Sequence, residues 1–108
     1  MAESRGDLRR HARVTMDSPV QVLWRDPSGT EMSVNGRTVD ISEAGLCIKV
    51  PVPIEKGVYV GFNASKVPLR GTASVRSCRR QGVAYLVGLE FSGNLRWKPK
   101  PGGAEENK

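Results

Sequence analysis

The alternation of apolar residues along the last apolar run constrains the fold most. Over residues 83–91, Tyr85, Val87, Leu89 and Phe91 fall on every second position, with Leu86, Gly88 and Glu90 between them. A period of two lines one face of an extended strand, whereas a helix needs a period near 3.6. The pattern recurs upstream. Leu46, Ile48 and Val50 alternate with Cys47 and Lys49, and Val20, Val22 and Trp24 alternate with Gln21 and Leu23. Residues 69–79 form a longer candidate carrying Ala73, Val75 and Ser77 on one side, and residues 30–39 and 58–62 add two more. Val22, Ile48, Val75, Leu89 and Phe91 are the expected core.

Turn chemistry separates these runs. Asp26-Pro27-Ser28-Gly29 has Pro at the second position and Gly at the fourth. Glu55-Lys56-Gly57 turns the chain into residues 58–62, and Arg80-Gln81-Gly82 predicts a hairpin with glycine at positive φ. Pro19 interrupts residues 14–24, which predicts two short pieces or an edge position. Asn35-Gly36 predicts a break or bulge within residues 30–39. Six or so short strands joined by Gly/Pro turns define an all-β chain, an antiparallel barrel or sandwich.

With 108 residues the chain is expected to form one domain. Residues 1–13 are polar and read as a flexible basic arm, residues 14–92 as the β domain, and residues 93–108 as a short, mostly disordered Pro/Gly-rich tail. Within that tail Trp97 reads as a plug packing back onto the strands. No apolar run is long enough for a membrane helix, and the N-terminus lacks the apolar segment of a signal peptide. A cytoplasmic protein with Cys47 and Cys78 reduced is the expectation. Two cysteines and one histidine do not make a metal site. His11 lies in the polar arm, no nucleophile or phosphate-loop pattern appears, and the chain reads as a binding protein rather than an enzyme.

Chemistry concentrates in two stretches. Seventeen Lys and Arg against 11 Asp and Glu give a net charge of +6, which favours an anionic partner. Arg9, Arg10 and Arg13 cluster in the arm, and Arg9 and Arg13 are four residues apart. Guanidinium groups grip phosphates, stack on purines and read the O6/N7 edge of guanine. The second stretch is Asp40-Ile41-Ser42-Glu43-Ala44-Gly45, at a strand boundary. Asp40 can accept two N–H bonds from a guanine edge, Ser42 can donate or accept, and Gly45 allows positive φ or close approach of a ligand. Asp and Ser before a turn also cap their own backbone, and a basic arm can simply be solvated. Neither stretch decides between these uses alone.

Taken together, Arg-x-x-x-Arg followed by Asp-x-Ser-x-x-Gly in a small β chain resembles the PilZ domain family. The ending Gly88-Leu89-Glu90-Phe91 after Tyr85 is a third match, so the resemblance runs from Arg9 to Phe91. It implies a six-stranded antiparallel β-barrel that binds the bacterial second messenger cyclic di-GMP as a signal, without a metal. On that resemblance Arg9, Arg10 and Arg13 hold phosphates and guanine. Asp40 and Ser42 take the guanine edge, and Gly45 shapes the turn. Arg76 is the candidate on the penultimate strand, where some members place an aromatic or basic ligand contact. Leu8 stands where some members carry a further cation, which points to one ligand per chain. The tail departs from members that continue into a C-terminal helix. The implied output is altered contact with an unidentified downstream protein. Two alternatives remain: a small basic barrel binding single-stranded nucleic acid, and a PilZ-like adaptor that binds no nucleotide.

Overall fold

The computed structural model describes residues 13–66, 69–93 and 95–97. Its seven strands are β1 (Val14–Thr15), β2 (Pro19–Arg25), β3 (Glu31–Ile41), β4 (Gly45–Val50), β5 (Tyr59–Ala64), β6 (Leu69–Gln81) and β7 (Ala84–Phe91). Every pairing is antiparallel. The order β3-β2-β5-β6-β7-β4 closes on itself because β4 returns to pair with β3. The result is a six-stranded barrel to which β1 adds a short seventh strand. Closure removes the open sheet edges that an unrolled sheet would expose.

Strand β3 holds the barrel together. Its first part pairs with β2 from Glu31 to Arg37, and its last part pairs with β4 from Arg37 to Ile41. β1 lies along the same side of β3 as β2, with Val14 opposite Ile41 and Thr15 opposite Asp40. Pro19 therefore opens β2, a position where its missing N–H costs little. Ser18 and Thr38 tie the gap between β1 and β2. The Ser18 N–H donates to Thr38 Oγ1 at 2.8 Å, and the Thr38 N–H donates to the Ser18 carbonyl at 2.8 Å. The Lys66 N–H adds a bond to Ser18 Oγ at 3.1 Å. Both side chains are buried, so these bonds offset the cost of taking hydroxyls out of water.

The expected core residues Val22, Ile48, Val75, Leu89 and Phe91 are all buried. Phe62 and Phe91 stack inside the barrel with ring centroids 5.7 Å apart. Ile54, from the connection between β4 and β5, joins this core. Leu95 and Trp97 pack against it after β7 ends, and the Trp97 N–H donates to the Glu43 carbonyl at 3.1 Å.

Two expectations about irregularity are corrected. The strand runs unbroken through Asn35-Gly36; a Cβ at Gly36 would lie 2.3 Å from the Lys49 carbonyl, so glycine serves a close strand crossing there. The bulge in β3 falls later, between Thr38 and Asp40. A second bulge, between Val75 and Ser77, shifts the phase of β6. Ser77 consequently leaves the side shared by Ala73 and Val75, and Cys78 packs toward the core in its place.

Candidate functional site

The pairing of β1 with β3 brings the end of the basic arm to the Asp40–Gly45 stretch. With Val14 opposite Ile41, the preceding residue arrives beside the β3–β4 turn. Arg13 Nη1 donates to Asp40 Oδ1 at 2.6 Å, joining residues 27 apart in sequence. The bulge in β3 lies immediately before Asp40 and turns its carboxylate toward Arg13, the usual effect of an inserted residue.

Arg13 also lines a lateral cleft of about 370 Å³. Ser42, Ala44 and Gly45 form the end of this cleft nearest the turn. Gly88, Leu89 and Glu90 of β7 line it further along, and Arg76 and Ser77 of β6 lie across from Glu90. Arg76 is the inserted residue of the β6 bulge, and its Nε stands 3.3 Å from Glu90 Oε1. Thus two bulges, on strands separated by the β4–β7 pair, each deliver a charged group to the site. Two ion pairs form there, Arg13 with Asp40 and Arg76 with Glu90. Arg13, Arg76 and Glu90 are each more than half exposed and Asp40 is 26% exposed, so each pair is screened by solvent and weak, at most about 1 kcal/mol.

Ser42 is buried, and its backbone N–H donates to the Gly45 carbonyl at 2.8 Å. Its hydroxyl donates to the same carbonyl over a long 3.5 Å. Ser42 thus shapes its own turn while lining the cleft, and Asp40 pairs with Arg13 instead of capping. Gly45 has no positive φ. A Cβ there would stand 2.2 Å from the Leu89 carbonyl, so the close approach that demands glycine is the backbone of β7. Arg9 and Arg10 lie outside the described residues.

Cys47 stands opposite Asp40 across β3 and β4. Burial pushes its thiol pKa up, the Asp40 carboxylate adds to this, and Arg13 and Arg79 pull the other way. Cys47 is a protonated, half-buried neighbour of the site. Among the described residues no group of three His, Cys, Asp or Glu is placed to hold a metal ion, and no helix is long and apolar enough to cross a membrane.

Sequence reasoning passed over Glu90, Ser77 and Gly88 as lining residues. One signal for the bulge that places them was present: apolar positions run 73, 75, then 78, a slip of phase within β6.

The described residues thus form a closed antiparallel barrel with a charged lateral cleft beside its β3–β4 turn. The PilZ domain family model matches residues 7–96, which is most of the chain, and the chain belongs to that family. PilZ domains are binding and adaptor modules whose family ligand is cyclic di-GMP. No curated protein matches this chain.

Proposed function

We propose that this chain is a cyclic di-GMP receptor that works as a bacterial cytoplasmic adaptor, changing its conformation and protein contacts when the messenger binds. The observation that carries the reading is that Arg13, Ser42 and Gly45 line one cleft, with Asp40 paired to Arg13 beside it, through strand pairing between segments distant in sequence. In this reading Arg9, Arg10 and Arg13 take the phosphates and stack on or bond to guanine. Asp40 accepts from the guanine N1–H and N2–H groups, and Ser42 bonds a nearby polar atom. Arg76 reaches the ligand from the β6 wall. Ligand phosphates compete with Asp40 for Arg13, which leaves the carboxylate open to the guanine edge.

The nucleic-acid alternative loses support from the aromatics. Binding single strands requires exposed stacking platforms. Phe62 and Phe91 are buried, and Trp24, Tyr85 and Trp97 pack against the core. Tyr59 is the one strongly exposed aromatic among the described residues.

Calorimetry with cyclic di-GMP, GTP and an oligonucleotide tests the proposal. Binding of cyclic di-GMP alone, near one per chain, is expected. Arg9→Ala should weaken it about ten- to a hundredfold, the worth of a charge-assisted bond of about 1.5–3 kcal/mol. Asp40→Ala should also weaken it, by less, because it releases Arg13 as it removes the guanine acceptor. Folded variants with unchanged titration curves would rule out this site.

A further inference from the structure

We infer that Glu90 sets the affinity of the cleft from the negative side, by neutralising Arg76 and adding a carboxylate to a wall that faces ligand phosphate. The inference rests on the cyclic di-GMP reading and goes beyond it by assigning a residue that opposes binding. Arg76 owes its place to the β6 bulge, and Glu90 owes its place to the outward side of β7 between inward Leu89 and Phe91. Their side chains meet through Nε and Oε1 at 3.3 Å, with more than half of each exposed. Both line the same cleft as Arg13.

A dianionic ligand gains from Arg76 only what Glu90 does not already offset. Asp40, the other anion of the site, is repaid by the guanine donors it accepts. Glu90 has no such donor in the reading, and it contributes no packing to the core. Its charge is therefore a pure cost to anion binding. It holds affinity below what the cations would otherwise give, which suits a receptor that must release its signal. Removing the carboxylate while keeping the side chain's size should tighten binding about two- to fivefold, the scale of one exposed ion pair.

The test compares wild type, Glu90→Gln and Glu31→Gln by calorimetry with cyclic di-GMP at fixed ionic strength. Glu31 pairs with Arg25 at 3.5 Å and begins β3, at the opposite end of that strand from Asp40. Its substitution changes net charge equally, far from the cleft. Glu90→Gln should bind two- to fivefold tighter, with the gain shrinking as salt rises, and Glu31→Gln should match wild type. Equal or weaker binding by Glu90→Gln, or an equal gain by Glu31→Gln, overturns the inference. A wild-type chain that takes up no cyclic di-GMP overturns the proposed function instead. Glu90 is then read from the Arg76 Nε–Hε NMR signal titrated with pyrophosphate. A response at lower concentration in Glu90→Gln supports the inference, and an equal response overturns it.

Discussion

Gly45 separates two roles that the Asp-x-Ser-x-x-Gly pattern merges. The missing Cβ accommodates the Leu89 carbonyl, which would stand 2.2 Å away, and Leu89 belongs to a backbone that cannot swing aside. Gly45→Ala should destabilise the barrel by about 1–3 kcal/mol or somewhat more, as overpacking does. Urea denaturation measures this, and a midpoint equal to that of wild type would show that β4 and β7 separate easily. Loss of ligand by this variant would report a distorted turn. Asp40 and Arg13 offer cleaner tests, since both are partly exposed and neither supports the core. The residue types of the candidate site were nameable from the sequence because the chemistry of guanidinium, carboxylate and hydroxyl does not depend on the fold. The contact between Arg13 and Asp40 was not, because it comes from the register of β1 on β3.

At the level of elements, alternation located the strands and the turn residues located their ends. The β2–β3 hairpin shows why the second signal is strong. One oxygen of Asp26 accepts from the Ser28 hydroxyl at 2.7 Å, the Thr30 N–H at 2.9 Å and the Ser28 N–H at 3.0 Å. The Ser28 hydroxyl, and then the Thr30 N–H, hold the Asp26 carboxyl below the ordinary carboxylate range. A depressed folded pKa means that the unfolded chain takes up the proton first as pH falls. The stabilisation by Asp26 is therefore full above the ordinary carboxylate value and disappears as pH drops through the lowered one. Chemical denaturation across acidic pH should show this loss, and Asp26→Asn should flatten part of it. A variant with the wild-type pH profile would assign the whole dependence to other carboxylates, such as Asp17 beside Arg37. The bulges were the least legible elements. A bulge in β6 leaves a slip in apolar phase, but the slip in β3 falls among Thr38, Val39 and Asp40, where a polar-apolar-polar order hides it.

A related element-scale prediction concerns the segment after β7. Trp97 packs its side chain against the core, which holds its backbone N–H on the Glu43 carbonyl, inside the β3–β4 turn. Trp97→Ala should cost about 1–3 kcal/mol, less than truncation of a fully buried Trp because this one is only partly covered. It should also loosen the Ser42–Gly45 bond pattern. Hydrogen exchange at the Ser42 amide would report that loosening. Protection equal to wild type would limit Trp97 to covering the core.

For the whole molecule, the proposed reading sets the charge of +6 against the two ion pairs at the cleft. Asp40 and Glu90 offset much of what Arg13 and Arg76 offer a dianion, so in this reading Arg9, Arg10 and the overall field add to the attraction. Residues 1–12, outside the described residues, contain few apolar side chains and several arginines, for which an anion would supply the opposite charge. Arg13 already has such a charge in Asp40. Cyclic di-GMP would draw Arg13 off Asp40 and engage Arg9 and Arg10 at the same time. The Arg13–Asp40 pair, at no more than about 1 kcal/mol, would reduce apparent affinity by about fivefold at most. It can bias the free state without locking it. Backbone relaxation and side-chain Nε–Hε signals test this together. On saturation, the Arg13 signal should move and the amides of residues 9–12 should lose picosecond-to-nanosecond mobility. Raised salt should weaken binding, and Arg10→Ala should reduce that salt dependence. If the Arg13 signal and the amides of residues 9–12 stay unchanged at saturation, the arm is not the element that reports the messenger.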